Sequence, residues 1–229
     1  MNHLRRLLKW DLLLLHRNNL FLVAALIAVI YIGIFYLLKD LGNLSNLLVV
    51  LVFNDPVVTC FLFAAVIWMF DLNQRTLQAF MVLPVSINVY YWSKAIILTS
   101  LAVLVALIMS LAGVGLTFNL LHLLAGVAGS SLIFINLGFI LGVKAGNFNR
   151  FLAYTVPTMI LMALPFLSIF ELVPWYFMLP VPTSGSMFIL KAAYQDSSFI
   201  YLIINYLHTV TWSVITYRLA ISSLKNISL

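Results

Sequence analysis

The chain has 229 residues, of which 64% are hydrophobic and only 8% charged, and its mean hydropathy is +1.13. Soluble domains carry about a quarter of their residues charged, so a water-soluble fold is excluded. The net charge of +6 reads as a Lys and Arg rim facing anionic lipid rather than as a nucleic-acid footprint, and the single cysteine, Cys60, excludes an intramolecular disulfide and a cysteine metal site.

Residues 1–19 place Leu4, Leu7, Leu8, Leu12 and Leu15 at helical spacing, with Arg5, Arg6, Lys9 and His16 largely on the other side. The pattern predicts a basic amphipathic helix in the membrane interface, with Trp10 at the headgroup level; the alternative is a charged leader to the first span. The apolar run 20–38 is longer than a signal-peptide core and no small-x-small site follows it, so it is expected to remain as the first span. The next apolar stretch, 47–70, is interrupted by Asn54-Asp55-Pro56. An acid at the centre of a span is costly and proline suits a first helical turn. The second span is therefore expected to start near Pro56 and run over 56–70, leaving 44–53 as an outer-face helix or a frayed entrance. The remaining spans are expected over 93–118, 123–143, 151–170 and 198–219. Between them lie an inner break from Asp71 to Tyr91, a tight outer turn from Asn119 to His122, a short inner loop from Lys144 to Arg150, and a long outer segment, 171–197, with Pro174, Pro180, Pro182 and Gly185. The expectation is one all-α integral membrane domain, 1–229, with six transmembrane helices and no internal repeat.

Charge fixes the expected orientation. Arg5, Arg6, Lys9, Arg17, Arg75, Lys94, Lys144, Arg150, Arg218 and Lys225 fall on the side of the N-terminus, ten of the 12 basic residues, and only Lys39 and Lys191 fall on the other. Cytoplasmic loops are enriched in Lys and Arg, which predicts both termini in the cytoplasm. Asp11 and Asp71 lie inside; Asp40, Asp55, Glu171 and Asp196 lie near or beyond the outer face.

Reactive constellations are missing from the sequence. It has no GxxxxGK[ST] phosphate loop and no HExxH, and His3, His16, His122 and His208 fall on different elements. His208, in mid-span, reads either as a proton relay or substrate contact, or as a polar group hydrogen-bonded to a neighbouring helix. Gly185-Ser186 with His208 comes nearest to an intramembrane protease pair, but Ser186 sits in the Pro-rich outer segment. The expectation is a chain without catalytic activity. Gly138-x-x-x-Gly142, Gly126, Gly129, Gly113 and Gly115 permit close helix approach. Pro157 and Pro165 predict a bend in the fifth span, lining a pathway or merely static.

The segment 71–94 reads DLNQRTLQAFMVLPVSINVYYWSK. Asn73 to Met81 fits a short cytoplasmic helix with an apolar face, ended by Pro84; the alternative is a loop lying on the lipid. Asp71, Arg75-Thr76-Leu77, Leu83-Pro84-Val85-Ser86 and Lys94 together resemble the pattern after the second span of the ATP-binding-cassette type-2 (ABC-2) exporter permeases. Gln74 and Arg75 depart from it, since the family often has Glu and Gly before the Thr. The resemblance implies a bacterial cytoplasmic (inner) membrane location and short helices between spans five and six that dip back toward the membrane, where Leu179-Pro180-Val181-Pro182 and Met187 to Leu190 sit. It implies that a separate ATPase subunit docks under the coupling helix region 72–86, helped by the N-terminal helix. The implied coupling residues are Asp71, Arg75, Thr76, Leu77, Phe80, Pro84, Ser86 and Lys94. ATP and Mg would sit on that partner, with no cofactor on this chain. A second permease chain, identical or not, would complete the pathway, each chain using spans one and five. Few intramembrane charges predict an apolar pathway for a hydrophobic or amphiphilic cargo such as a drug, a lipid-like molecule or a peptide. The alternative is the substrate-binding membrane subunit of an ATP-driven vitamin or metal importer, which would hold its ligand unaided.

Overall fold

The computed structural model describes residues 2–17, 19–38, 45–73 and 86–225. Among them no strand occurs. The helices are α1 (Asn2–Arg17), α2 (Leu20–Leu38), α3 (Ser45–Asn73), α4 (Ile87–Val114), α5 (Leu120–Ala145), α6 (Phe148–Ala163), α7 (Phe166–Ile169), α8 (Ser184–Tyr194) and α9 (Phe199–Lys225), with a 3-10 turn at Trp175–Met178. An apolar chain in lipid must satisfy its backbone polar groups within each segment, which selects helices. Among the described residues, five stretches are long and apolar enough to cross a membrane: Ser45–Leu72, Ile87–Val114, Leu120–Ala145, Phe148–Ile169 and Phe199–Lys225. The apolar α2 has 19 residues, with a shorter apolar stretch at Ala25–Leu37.

The second span departs from expectation. α3 begins at Ser45, not near Pro56, so 45–53 is the first part of α3 and neither a separate helix nor a frayed entrance; residue 44 lies outside the described residues. The reason is packing. Leu48, Val49, Val52 and Phe53 are all buried, and their burial outweighs one missing backbone hydrogen bond at a proline, a cost of about 3 kcal/mol. The third span also starts earlier, at Ile87 rather than 93. Tyr90, Tyr91, Ser93 and Lys94 lower the hydropathy there, yet all four are buried and the side chains of all four find polar partners.

Caps set both ends of α5 and the start of α6. The Asn119 side chain accepts from the N–H groups of Leu121 (3.1 Å) and His122 (3.3 Å) to open α5, and Asn147 accepts from Arg150 N–H (2.9 Å) to open α6. Gly146, in the left-handed region at φ 67°, closes α5. Pro157 lies inside α6, whereas Pro165 separates α6 from α7. The carbonyl of Met162, left free at that break, accepts the Thr183 hydroxyl (2.9 Å).

α5 is the central helix. A Cβ on Gly138 would stand 2.4 Å from the Phe61 carbonyl oxygen of α3, and one on Gly126 would stand 3.0 Å from the Leu190 backbone nitrogen of α8. Small residues thus let α3 and α8 lie backbone-close against α5. Within the segment between α7 and α9, the α8 helix lies inside the bundle. Ser184 to Leu190 of α8 are all buried, and Trp175 packs edge-on to Phe188 and Tyr201 at centroid distances of 6.5 and 5.2 Å.

Candidate functional site

Among the described residues, the buried charges meet at the end of the bundle that carries α1. On α4, Tyr90, Ser93 and Lys94 are spaced i, i+3, i+4 and so share one face. Asp71 lies in the last turn of α3. Asp11 lies on the same stripe of α1 as Leu4, Leu7, Leu8 and Leu15. Asp11, Asp71 and Lys94 are only 6%, 4% and 5% exposed. The Lys94 ammonium pairs with Asp11 Oδ1 and stands 3.4 Å from Asp71 Oδ2. Ser93 Oγ donates to Asp11 Oδ2, Tyr90 Oη donates to Asp71 Oδ2 at 2.7 Å, and Lys94 Nζ lies 5.2 Å from the centre of the Tyr90 ring. Two acids share one cation, and hydroxyl donors engage both carboxylates. Trp68, fully buried one turn before Asp71, meets Tyr90 edge-on at 6.3 Å. Chemically this is a joint. Removing one partner leaves a charge unpaired at low dielectric, which costs about 3–5 kcal/mol.

Of the coupling residues inferred from the sequence, the structure brings together Asp71 and Lys94. Ser86 is exposed and precedes α4; its side chain makes no cap bond, while its carbonyl accepts Val89 N–H (2.9 Å). Arg75, Thr76, Leu77, Phe80 and Pro84, with most of the expected 73–81 helix, lie outside the described residues. Sequence reading missed Asp11, Ser93 and Tyr90 as members of the cluster. A usable signal existed for Asp11: an acid within the 4, 7, 8, 15 apolar stripe must be either unpaired at great cost or matched by a buried cation. Leu12, placed on that stripe, is instead 49% exposed.

A second, neutral network crosses the bundle. Tyr91 Oη donates to Asn136 Oδ1 (2.6 Å) and Asn136 Nδ2 donates to Thr216 Oγ1 (3.0 Å), linking α4, α5 and α9. His208 Nε2 bonds the Leu179 carbonyl at 2.7 Å, a main-chain group just after the 3-10 turn and not the neighbouring helix expected. Ser186 Oγ donates to the Thr183 carbonyl (2.9 Å), and the hydroxyl that approaches His208 is that of Ser184, at 3.4 Å. Among the described residues no group of three or more His, Cys, Asp or Glu could hold a metal ion. Cys60 is buried and directs its thiol at the Leu98 carbonyl (3.3 Å).

Residues 2–225 match the fluoroquinolones export permease protein family. The chain is 27% identical over 146 residues to a fluoroquinolones export permease protein of Mycobacterium tuberculosis, in both the CDC 1551 / Oshkosh and H37Rv strains. The match covers 63% of this chain and 62% of each relative. The chain belongs to this permease family and is a multi-pass membrane protein.

Proposed function

We propose that this family member is the membrane-spanning subunit of an ATP-driven exporter of the ABC-2 type, with six spans and both termini in the cytoplasm of a bacterial cell. Ten basic residues against two support that orientation, and the 19 apolar residues of α2 supply the sixth span. A separate ATPase docks under 72–86, a second permease chain completes the pathway, and this chain carries no catalytic activity and no cofactor of its own. The observation that carries the reading is the buried Asp11–Lys94–Asp71 joint. It pins α3 and α4 together on either side of the 74–85 segment and fastens the interfacial α1 to both. A push on that segment is therefore delivered to three elements as one body, which is what rigid-body transmission of ATPase closure requires.

The relatives' name supplies a cargo class, the fluoroquinolones, which are aromatic and amphiphilic. The exposed apolar faces of α2, α6 and α9 suit a pathway for such a molecule better than one for a small ion. The test is affinity purification of the tagged chain from native membrane in mild detergent. A stoichiometric cassette-type ATPase is expected, lost when Leu77 and Phe80 are both changed to Asp. A lone chain in the unmodified preparation would overturn the reading; assembly that survives the double change would overturn the docking site.

A further inference from the structure

α1 carries a second stripe besides the one that buries Asp11. Residues 5, 8, 9 and 12 are spaced i, i+3, i+4, i+7 and share a face. Leu8 and Leu12 of that face line a groove with Ala25 and Ala28 of α2 and a long strip of α4, Ile96 to Ile108; its volume is about 410 Å³. The one polar side chain in the lining, Ser100, spends its hydroxyl on the Ile96 carbonyl of its own helix (2.7 Å), so the groove offers hydrocarbon alone. Arg5 and Lys9 do not line the groove, but they are exposed and by helical spacing flank Leu8 and Leu12 on the same face; His16 is exposed two turns beyond Lys9. The α4 strip covers 12 residue steps, about 18 Å at 1.5 Å per residue. Half the hydrocarbon thickness of a bilayer is about 15 Å. A cationic rim above an apolar trough one leaflet deep has the dimensions and charge order of a single lipid.

From this we propose that the α1–α2–α4 groove is a binding site for one anionic phospholipid of the leaflet that α1 lies in. An acyl chain lies along Ile96, Ser100, Leu104 and Ile108, and the phosphate headgroup sits against Arg5 and Lys9. The site rests on the interfacial placement of α1, not on ATP coupling. Because the same α1 supplies Asp11 to the buried joint, the lipid adds a hold on the element that the joint uses.

Native mass spectrometry of the full chain, released from nanodiscs of phosphatidylglycerol and phosphatidylcholine, tests this. One phosphatidylglycerol retained in preference to phosphatidylcholine is expected. Arg5→Ala/Lys9→Ala takes both cations away from the headgroup and should lower that retention about tenfold or more. Filling the trough with Ser100→Trp should lower it with the charges intact. Arg150→Ala/Arg218→Ala removes two exposed basic residues elsewhere and should leave it unchanged. Equal retention of the two lipids, an equal loss in the Arg150/Arg218 pair, or no loss in Ser100→Trp would each overturn the site. So would efficient disulfide dimerisation of Leu104→Cys in the same nanodiscs, which would give the groove to a second copy of the chain. Failure of the ATPase to co-purify would leave these results standing, so the two proposals fail separately.

Discussion

The two ends of the bundle are held by different physics. At the α1 end three elements meet around one ammonium and two carboxylates, all buried. At the opposite end the bonds are neutral: Asn119 N–H to the Ala193 carbonyl (2.8 Å), Gln195 Nε2 to Asn46 Oδ1 (2.8 Å), and Ser110 Oγ with Tyr194 Oη (2.6 Å), with α8 packed backbone-close on α5. Charged joints are all-or-none, because a half-dismantled pair is worse than none. Neutral bonds and close packing lose stability in smaller steps. The end proposed to receive mechanical input is thus the end that cannot loosen gradually.

Lys94→Met is the largest break in that comparison. It leaves Asp11 and Asp71 buried without their cation, and the loss should be about 3–5 kcal/mol, read as a sharp fall in the unfolding midpoint of the detergent-solubilised chain. A double-mutant cycle sharpens it. Coupling of Lys94 to Asp11, the closer acid, should exceed coupling to Asp71, 3.4 Å away and shared with Tyr90; equal couplings would make the joint a symmetric triad.

Glycine tests the packed side of the comparison. Gly138→Ala forces a methyl onto the Phe61 carbonyl and should cost about 2–3 kcal/mol; Gly126→Ala meets α8 backbone at a looser 3.0 Å and should cost less. Gly33→Ala in α2 meets nothing within 4 Å and should be neutral or slightly stabilising. If all three cost the same in thermal melts of the solubilised chain, close approach is not what these positions supply.

Much of this architecture was legible from composition and period, because lipid leaves an apolar chain few choices. The helices, the amphipathic α1 and the helix break at Pro165 all follow from local rules. The beginnings of α3 and α4 did not. Hydropathy scores Asn54 and Lys94 as if they stood alone, while the fold had already provided buried neighbours at 48, 49, 52 and 53 and an acid from 83 positions away. Of the joint, Asp71 and Lys94 were singled out by a family pattern, as coupling residues and not as a buried pair; the place of Asp11 on an apolar stripe called for a buried cation, but nothing local said which, since Lys94 lies three helices downstream. The faces of α9 stayed unreadable for another reason: a helix hydrophobic all round does not say which side meets Asn136 and which meets lipid.

Tyr90→Phe separates the joint's charge from its hydroxyl donors. The ring remains against Trp68 and Lys94, and Asp71 keeps the ammonium, so the loss should be about 1–2 kcal/mol, well short of Lys94→Met. An equal loss would place the weight on the hydroxyl and weaken the ionic account.

The smallest loss expected from a lost hydrogen bond is that of Asn119→Ala. The side chain caps two N–H groups of α5, and such a cap contributes about 1 kcal/mol. Its backbone N–H, however, is the group that reaches Ala193, and alanine keeps that bond. The opposite end should therefore hold together through main-chain bonds and packing after the cap is lost, and hydrogen exchange should rise in the first turn of α5 without rising in α8. Exchange that rises in both would show that Asn119 anchors α8 through its side chain, and the neutral end would then share the all-or-none character of the charged one.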